Sequence, residues 1–223
     1  MRPRIRAVSF DIGGTLIQPW PSVGQVYADA AAASGFSNLS SKTLDEGFKR
    51  AWKSRERFDY SVNEWRELVI VAFEGLCTRE QVNRFFPDLY ERFSSPEAWH
   101  LFQGVSSLLA DLRARGFLLG VTSNWDERLR PLLKSLNLSS HFSVIMISAE
   151  AGYQKPDPRI FLKTCSALGV SPEETLHVGD SAREDRDGAL AAGLSAALFD
   201  PRHGDLLCAC VEQVLSGRDS GVE

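Results

Sequence analysis

An aspartate, two glycines and a threonine directly follow the first apolar run of the chain. The segment reads Ala7-Val-Ser-Phe-Asp11-Ile-Gly13-Gly-Thr15-Leu16. A short run of this kind predicts a buried strand, and paired glycines allow a sharp turn after it. An aspartate at the end of a buried strand, at the mouth of an open sheet, is placed for chemistry. A turn acid that only caps the loop is the alternative for this stretch taken alone.

Three later polar stretches carry residues that suit a phosphoryl group or a metal ion. Ser123 and the Asn124 amide can donate hydrogen bonds to a phosphoryl oxygen, and the alternative is that they cap the next helix. Lys155 could neutralise a phosphate together with a charged nucleophile, unless it is a solvated surface lysine. Asp180 and Asp185 could share a magnesium ion, one directly and one through water, or simply place charge at a helix N-terminus.

The elements that must position these residues alternate between strand and helix from Gly104 onward, which predicts a parallel sheet with crossover helices. In a doubly wound parallel sheet the loops after the strands open on one edge, so the four polar stretches are expected to converge there. The predicted strands after the first are Phe117–Thr122, Ser143–Ile147, Thr175–Val178 and Ser195–Phe199. The predicted helices are Val105–Arg115, Asp126–Leu136, Pro158–Leu168, Arg183–Ala192 and Leu206–Leu215.

The segment from residue 18 to residue 97 is predicted to be all-helical, since apolar residues recur at helical spacing and we find no strand pattern. An all-helical block inserted after the first strand looks like a cap. We therefore expect a core of residues 1–17 and 98–223 with a helical cap of residues 18–97. The predicted cap helices are Val23–Ser34, Lys42–Arg57, Val62–Leu76 and Arg79–Phe93.

Composition narrows the class of protein. A net charge of -4 argues against a nucleic-acid binder, which would show a basic face. No apolar run is long enough to span a membrane, and Met1–Arg4 leads directly into the first strand without a signal peptide. Four cysteines without zinc spacing favour buried, reduced thiols. We therefore expect a cytoplasmic protein, a monomer or a weak homodimer, with no nucleic-acid or membrane partner.

The order of the polar stretches resembles that of the haloacid dehalogenase superfamily, whose members are mostly phosphohydrolases. Asp11 lies where the nucleophile of that superfamily lies, Ser123 in its second motif and Lys155 in its third. Gly179-Asp180 lies with Asp185 in its fourth. The runs Lys155-Pro-Asp-Pro-Arg-Ile-Phe161 and Gly179-Asp-Ser-Ala-Arg-Glu-Asp185 are typical of the branch with a helical, C1-type cap. The resemblance covers the whole chain, and it implies a Rossmann-like core with an inserted helical cap.

The resemblance also implies a reaction and its residues. Asp11 would attack phosphorus of a small phosphorylated metabolite, forming an aspartyl-phosphate that water then hydrolyses. A magnesium ion would screen charge repulsion and polarise the phosphoryl group. The implied catalytic residues are Asp11, Ser123 and Lys155, the substrate contacts are Thr15, Ser123, Asn124 and Lys155, and the metal site is Asp11, the Gly13 carbonyl, Asp180 and Asp185.

Gly13 departs from the pattern, because phosphatases of this superfamily carry there an aspartate that protonates the leaving group and activates water. Loss of such a group typically removes about 10²- to 10⁴-fold in rate, so weak phosphatase activity is expected. A non-catalytic phosphate-binding protein is the main alternative. Phosphonatases also lack this aspartate and use a cap lysine, for which the candidates are Lys42, Lys49 and Lys53. Dehalogenases lack it too, but the retained Asp180 and Asp185 count against that activity.

Six aromatic residues remain as candidates for the wall of the site. Trp20 and Trp125 adjoin the motif residues and are the better candidates. The others lie at helical spacing in the predicted cap, where such residues more often form the core than a pocket. These are Trp52, Phe58, Tyr60 and Trp65.

Overall fold

A computed structural model describes residues 4–55 and 58–217. The chain divides into two compact units, which are Met1–Ile17 with Leu101–Glu223, here called the core unit, and Gln18–His100, here called the helical unit. The predicted boundary after residue 97 thus differs from the observed division by three residues. The predicted end of the second cap helix at Arg57 lies outside the described residues, as do residues 218–223.

The described strands are β1 (Ala7–Phe10), β2 (Ile17–Pro19), β3 (Trp99–Leu101), β4 (Leu118–Ser123), β5 (Val144–Ile147), β6 (Thr175–Gly179) and β7 (Ser195–Leu198). The α-helices are α1 (Val23–Ala33), α2 (Ser41–Ser54), α3 (Val62–Ala72), α4 (Arg79–Arg92), α5 (Val105–Ala114), α6 (Leu129–Ser135), α7 (Ser148–Ala151), α8 (Pro158–Leu168), α9 (Gly188–Ala191) and α10 (Leu207–Leu215). A π-helix spans Ala182–Asp187.

Five parallel strands form the sheet of the core unit in the order β5-β4-β1-β6-β7. All four residues of β1 are buried, as expected for the central strand of a sheet covered on both faces. In the register, Phe10 at the end of β1 lies beside Val121 of β4 and Val178 of β6. The predicted α/β, Rossmann-like fold is confirmed, and the carboxyl ends of these three strands are neighbours.

Two predicted helices of the core unit differ from the structure. The helix predicted from Asp126 begins only at Leu129, because the Asp126 carboxylate accepts hydrogen bonds from the Arg128 backbone and guanidinium before the helix starts. The helix predicted over Arg183–Ala192 is a π-helix followed by the short α9. Neither difference changes the order of the elements.

The helical unit is built from α1 to α4. A serine or threonine caps each helix N-terminus, and its side chain accepts from the backbone N–H three positions on, which explains where the helices begin. α3 ends at Ala72 rather than at the predicted Leu76, and Gly75 adopts a left-handed conformation in the turn. Phe58 and Tyr60 are buried in the core of this unit, and Trp52 and Trp65 pack against it.

The segments where the chain leaves and re-enters the core unit pair as a two-stranded sheet, β2 with β3. The Trp20 N–H donates to the Ala98 carbonyl at 2.8 Å, and the Phe102 N–H donates to the Leu16 carbonyl at 3.0 Å. β2 includes residues 18 and 19, so the prediction of no strand in this segment is wrong. Three-residue strands are too short to show a periodic pattern.

The cysteines are free, but only Cys165 is buried, and Cys208 is exposed. The prediction of buried thiols is therefore wrong for Cys208. No helix among residues 4–55 and 58–217 has the length and apolar character needed to cross a membrane.

Candidate active site

Asp11 lies directly after β1, and its carboxylate is held through one oxygen. The Asp11 N–H donates to the Val178 carbonyl at 2.9 Å, which ties the residue to the end of β6. The Ser123 hydroxyl and the Lys155 ammonium both donate to Asp11 Oδ1, at 2.8 Å and 2.7 Å. No hydrogen bond from a described residue engages Oδ2. The carboxylate is thus oriented, with one oxygen left for a ligand.

Lys155 is buried between two carboxylates, so the alternative of a solvated surface lysine is wrong. Its ammonium donates to Asp185 Oδ1 at 2.5 Å as well as to Asp11. Burial alone would lower the pKa of the ammonium group, but the attraction of Asp11 and Asp185 outweighs it and raises the pKa. Burial favours the neutral form of Asp185, yet Lys155 and His177 together hold its pKa below the usual range. Lys155 is therefore a fixed cation of the site.

The side chain of Asn124 positions Lys155. Its Oδ1 accepts from the Lys155 N–H at 2.7 Å, and its Nδ2 donates to the Lys155 carbonyl at 3.0 Å. Nδ2 also donates to the Glu184 carboxylate at 3.2 Å. Because the side-chain amide already has these partners, the group of Asn124 left for a substrate contact is its main-chain N–H. This contact stays a prediction.

Asp185 reaches the site because of the π-helix and a glycine. The π-helix begins after Ser181, and the Ser181 N–H donates back to Asp185 Oδ2 at 2.9 Å. A Cβ on Gly179 would lie 2.1 Å from the Asp185 carboxyl carbon, so only glycine permits this approach at the end of β6. Both Asp185 oxygens are thereby engaged with protein groups.

Asp180 lies at the end of β6 on the exposed rim of the site. Gly14 adopts a left-handed φ of 87°, and a Cβ there would lie 2.6 Å from Asp180 Oδ2. Although Asp180 is exposed, surrounding protein atoms reduce the hydration of its carboxyl group. This desolvation, together with the charges of Asp11 and Asp185, raises the pKa of Asp180 to about 7.

Asp11, Asp180 and Asp185 bring carboxylate oxygens within 4.8 Å of one another. Carboxylate oxygens suit hard cations such as magnesium, and the raised pKa of Asp180 reflects negative charge that a cation would neutralise. The uncommitted Asp11 Oδ2 and the Asp180 carboxylate fit direct ligation. Both oxygens of Asp185 already have protein partners, so Asp185 fits a position behind the direct ligands, in contact with the ion through water. The part of the Gly13 carbonyl in this site stays a prediction.

A row of buried polar side chains runs from the site across the sheet. His177 Nε2 lies 3.1 Å from Asp185 Oδ1, and His177 Nδ1 lies 3.1 Å from the Ser9 hydroxyl. The Ser9 hydroxyl lies 2.7 Å from that of Thr122, which lies 2.8 Å from that of Thr164. Sequence reasoning missed this row. Three of its members are polar residues inside apolar strands, a signal that also occurs at strand edges, and the fourth, Thr164, lies in α8.

Trp125 lies against Gly13, the position at which phosphatases of the resembled superfamily carry an aspartate. A Cβ on Gly13 would lie 3.1 Å from the Trp125 ring. The φ of Gly13 is outside the left-handed region, whereas Gly14 takes the sharp turn. The backbone at position 13 therefore tolerates a side chain, and the indole ring is what crowds it. This supports the prediction that Trp125 lines the site.

Other predicted residues are less closely involved. The Thr15 hydroxyl is buried and has no hydrogen-bond partner among the described residues. Lys42, Lys49 and Lys53 lie exposed in α2, without the apolar surroundings that activate a Schiff-base lysine. Trp20 is 49% exposed and packs on His100 within the helical unit, so its place in the site wall stays a prediction.

The model of the haloacid dehalogenase-like hydrolase family matches residues 5–193. The chain belongs to this family. A haloacid dehalogenase-like hydrolase domain-containing protein 3 from Bos taurus is 33% identical over 208 residues, which cover 88% of this chain and 82% of that protein. The family resemblance stated from the motifs is thus confirmed for this haloacid dehalogenase-like hydrolase.

Two further relatives of this haloacid dehalogenase-like hydrolase are named as phosphatases. A phosphoserine phosphatase from Thermus thermophilus is 38% identical over 223 residues, which cover 88% of this chain and 89% of that protein. The crystal structure of a HAD phosphatase from Thermococcus onnurineus has a TM-score of 0.63 at 28% identity, with 91% of this chain and 89% of that chain covered.

Proposed function

We propose that this protein is a magnesium-dependent phosphohydrolase that acts on a small phosphorylated metabolite through an aspartyl-phosphate at Asp11. The observation that carries the proposal is the asymmetric holding of the Asp11 carboxylate. Ser123 and Lys155 engage Oδ1 and leave Oδ2 without a partner among the described residues. A nucleophile must be oriented while its attacking atom stays accessible.

The proposed roles follow from these contacts. Asp11 Oδ2 attacks phosphorus, and Lys155 compensates the negative charge of the carboxylate and the phosphoryl group. The Asn124 main-chain N–H orients a phosphoryl oxygen. The Ser123 hydroxyl, whose single proton goes to Asp11 Oδ1 in the structure, would turn to the phosphoryl group when substrate binds, and the Thr15 hydroxyl would be a further substrate contact. Magnesium bound by Asp11, the Gly13 carbonyl and Asp180, with Asp185 behind, would supply charge neutralisation at the phosphoryl group.

The experiment is hydrolysis of p-nitrophenyl phosphate with and without magnesium. We expect turnover that requires magnesium and that Asp11→Asn abolishes, since the nucleophile is lost while the shape is kept. Calorimetry with magnesium alone should show binding that Asp180→Asn weakens strongly. A matched control is Asp111→Asn, an exposed acid of α5 that pairs with Arg115.

The non-catalytic alternative gives different results. A protein that only binds phosphate would show phosphate binding by calorimetry but no turnover of p-nitrophenyl phosphate at any magnesium concentration. Magnesium affinity unchanged in Asp180→Asn would contradict the metal assignment independently of turnover.

A further inference from the structure

We propose that the preferred substrates are acyl phosphates and similar phosphoryl donors, whose leaving group departs without a proton, rather than alkyl phosphate esters. The inference rests on the proposed nucleophilic role of Asp11 and adds the class of the substrate. Its basis is that the buried ionisable groups beside Asp11 already have partners and that the flank of the loop facing Trp125 is apolar.

The side of the nucleophile loop facing Trp125 is apolar. Gly13 contributes no side chain, and the Trp125 ring lies where a side chain at that position would begin, 3.1 Å from its Cβ. The indole N–H is not an acid at ordinary pH, so it does not protonate a leaving alkoxide. This flank offers a ring surface instead of a proton donor.

The buried ionisable groups beside Asp11 already have partners. The Lys155 ammonium donates to both Asp11 and Asp185. His177 contacts Asp185 through one ring nitrogen and Ser9 through the other, and its side chain is fully buried. A proton released from either group would break a buried ion pair or hydrogen bond, which is costly.

The remaining carboxylates of the core site are also unsuited to deliver a proton. Asp180, as a proposed magnesium ligand, is ionised in the loaded protein because metal ligation requires the carboxylate form. Glu184 accepts a hydrogen bond from Asn124. Asp126 is buried and paired with Arg128. The leaving group must therefore depart without a proton or take one from water.

The balance of the reaction favours a leaving group that is a weak base. In the first step the bond from Asp11 Oδ2 to phosphorus forms, and the bond from phosphorus to the leaving oxygen breaks with its electron pair. An acyl phosphate releases a carboxylate, whose conjugate acid has a pKa of about 4, so no proton is needed. An alkyl ester would release an alkoxide about as basic as hydroxide, for which the pKa of water is about 15.7.

The second step needs no acid, because Asp11 is itself released as a carboxylate. The oxygen of water bonds to phosphorus, the bond to Asp11 Oδ2 breaks, and the proton of water leaves with the phosphate product or to solvent. Gly13 has no side chain that could activate this water, so the phosphorylated Asp11 is expected to accumulate during turnover.

The test compares acetyl phosphate with ethyl phosphate, which match in size and differ in leaving group. For the wild-type protein with magnesium we expect kcat/KM for acetyl phosphate to exceed that for ethyl phosphate by at least about 10²- to 10⁴-fold. Gly13→Asp combined with Trp125→Ala, which supplies an acid and the room for it, should raise kcat/KM for ethyl phosphate at least tenfold. The ratio of kcat/KM for acetyl phosphate to kcat/KM for ethyl phosphate should therefore fall at least tenfold in this variant.

Gly13→Asn combined with Trp125→Ala is the matched control, since it fills the same space without an acid, and it should leave ethyl phosphate slow. Comparable kcat/KM for the two substrates in the wild type would overturn the inference, because another group would then supply the proton. If the double variant does not fold, a series of aryl phosphates decides. A steep fall of kcat/KM with leaving-group pKa supports the inference, and a flat series overturns it.

Mass spectrometry after acetyl phosphate treatment separates this failure from failure of the proposed function. One phosphoryl group on Asp11, absent from Asp11→Asn, supports the proposed function whatever the substrate preference. No phosphoryl group on Asp11 and no turnover of either substrate would overturn both.

Discussion

The two units differ in what they bury. Among the described residues, every buried Asp, Lys, His, Asn, Ser or Thr side chain lies in the core unit. The helical unit buries aliphatic and aromatic side chains instead, such as Phe73 and Phe85, whose ring centroids lie 5.1 Å apart. Apolar burial stabilises a fold at any pH, whereas buried charges cost free energy unless they are paired. The interior of the core unit is therefore arranged for chemistry, and that of the helical unit for packing.

The largest expected effect comes from Lys155→Met. This change leaves Asp11 and Asp185 buried without their cation, so we expect the free energy of unfolding at pH 7 to fall by about 3–5 kcal/mol. Urea denaturation measures it. The pKa of Asp185 is lowered in the folded protein, so its ionised form stabilises above the ordinary pKa and is lost as the pH falls. The gap between wild type and variant should therefore narrow in acid.

The matched control is Lys163→Met, eight residues along the chain. The exposed Lys163 ammonium donates to the Ala151 carbonyl and lies 4.9 Å from the centroid of the Tyr153 ring, and it has no carboxylate partner among the described residues. The same substitution should therefore cost less than about 1 kcal/mol. Equal losses in the two variants would show that the buried ion pairs of Lys155 contribute no more to stability than an exposed lysine of the same unit.

Phe85→Ala tests the helical unit in the opposite sense. Phe85 is fully buried between Phe73 and Phe36. Its removal should lower the free energy of unfolding by about 3–5 kcal/mol, and the site is well packed, so we expect a value in the upper part of this range. The loss should be the same at pH 5 and pH 8, with magnesium affinity unchanged. Leu76→Ala, at a partly exposed position, is the control and should change little. A loss that varies with pH would break the comparison.

The smallest effect is expected from Asp180→Asn, because Asp180 is exposed. Its pKa rises from 3.8 to about 7 in the folded protein, so the folded state keeps a proton that the unfolded state has lost. Without metal, stability should thus fall as the pH rises from about 4 to 7, and the variant should fall less. Thermal unfolding in EDTA across this range measures it, and parallel profiles for the two proteins would contradict it.

The sequence predicted the strands and helices, and the sheet edge at which the polar residues converge. It did not predict which side chains contact one another there. Asp11, Ser123 and Asp180 converge because they end neighbouring parallel strands, which alternation of strand and helix indicates. The contact of Trp125 with Gly13 joins positions far apart in the chain, and no local pattern encodes it. The π-helix was likewise missed, since helix-forming residues do not specify the spacing of the backbone hydrogen bonds.

The row of buried hydroxyls fixes the direction of its own hydrogen bonds. A hydroxyl has one proton, and Thr164 donates its proton to the Ile160 carbonyl within α8 at 3.1 Å. Thr122 must then donate to Thr164, and Ser9 must donate to Thr122. Ser9 is left to accept, so His177 Nδ1 carries a proton and donates to it.

A main-chain carbonyl of α8 thereby determines the tautomer of a ring beyond the central strand. With Nδ1 directed to Ser9, Nε2 is the ring nitrogen that faces Asp185 Oδ1, at 3.1 Å. Every dipole of the row points away from the site, and reversing one requires reversing all of them. The interior of the sheet thus acts as an orientational lock on the carboxylate that faces Lys155, rather than as a path for protons.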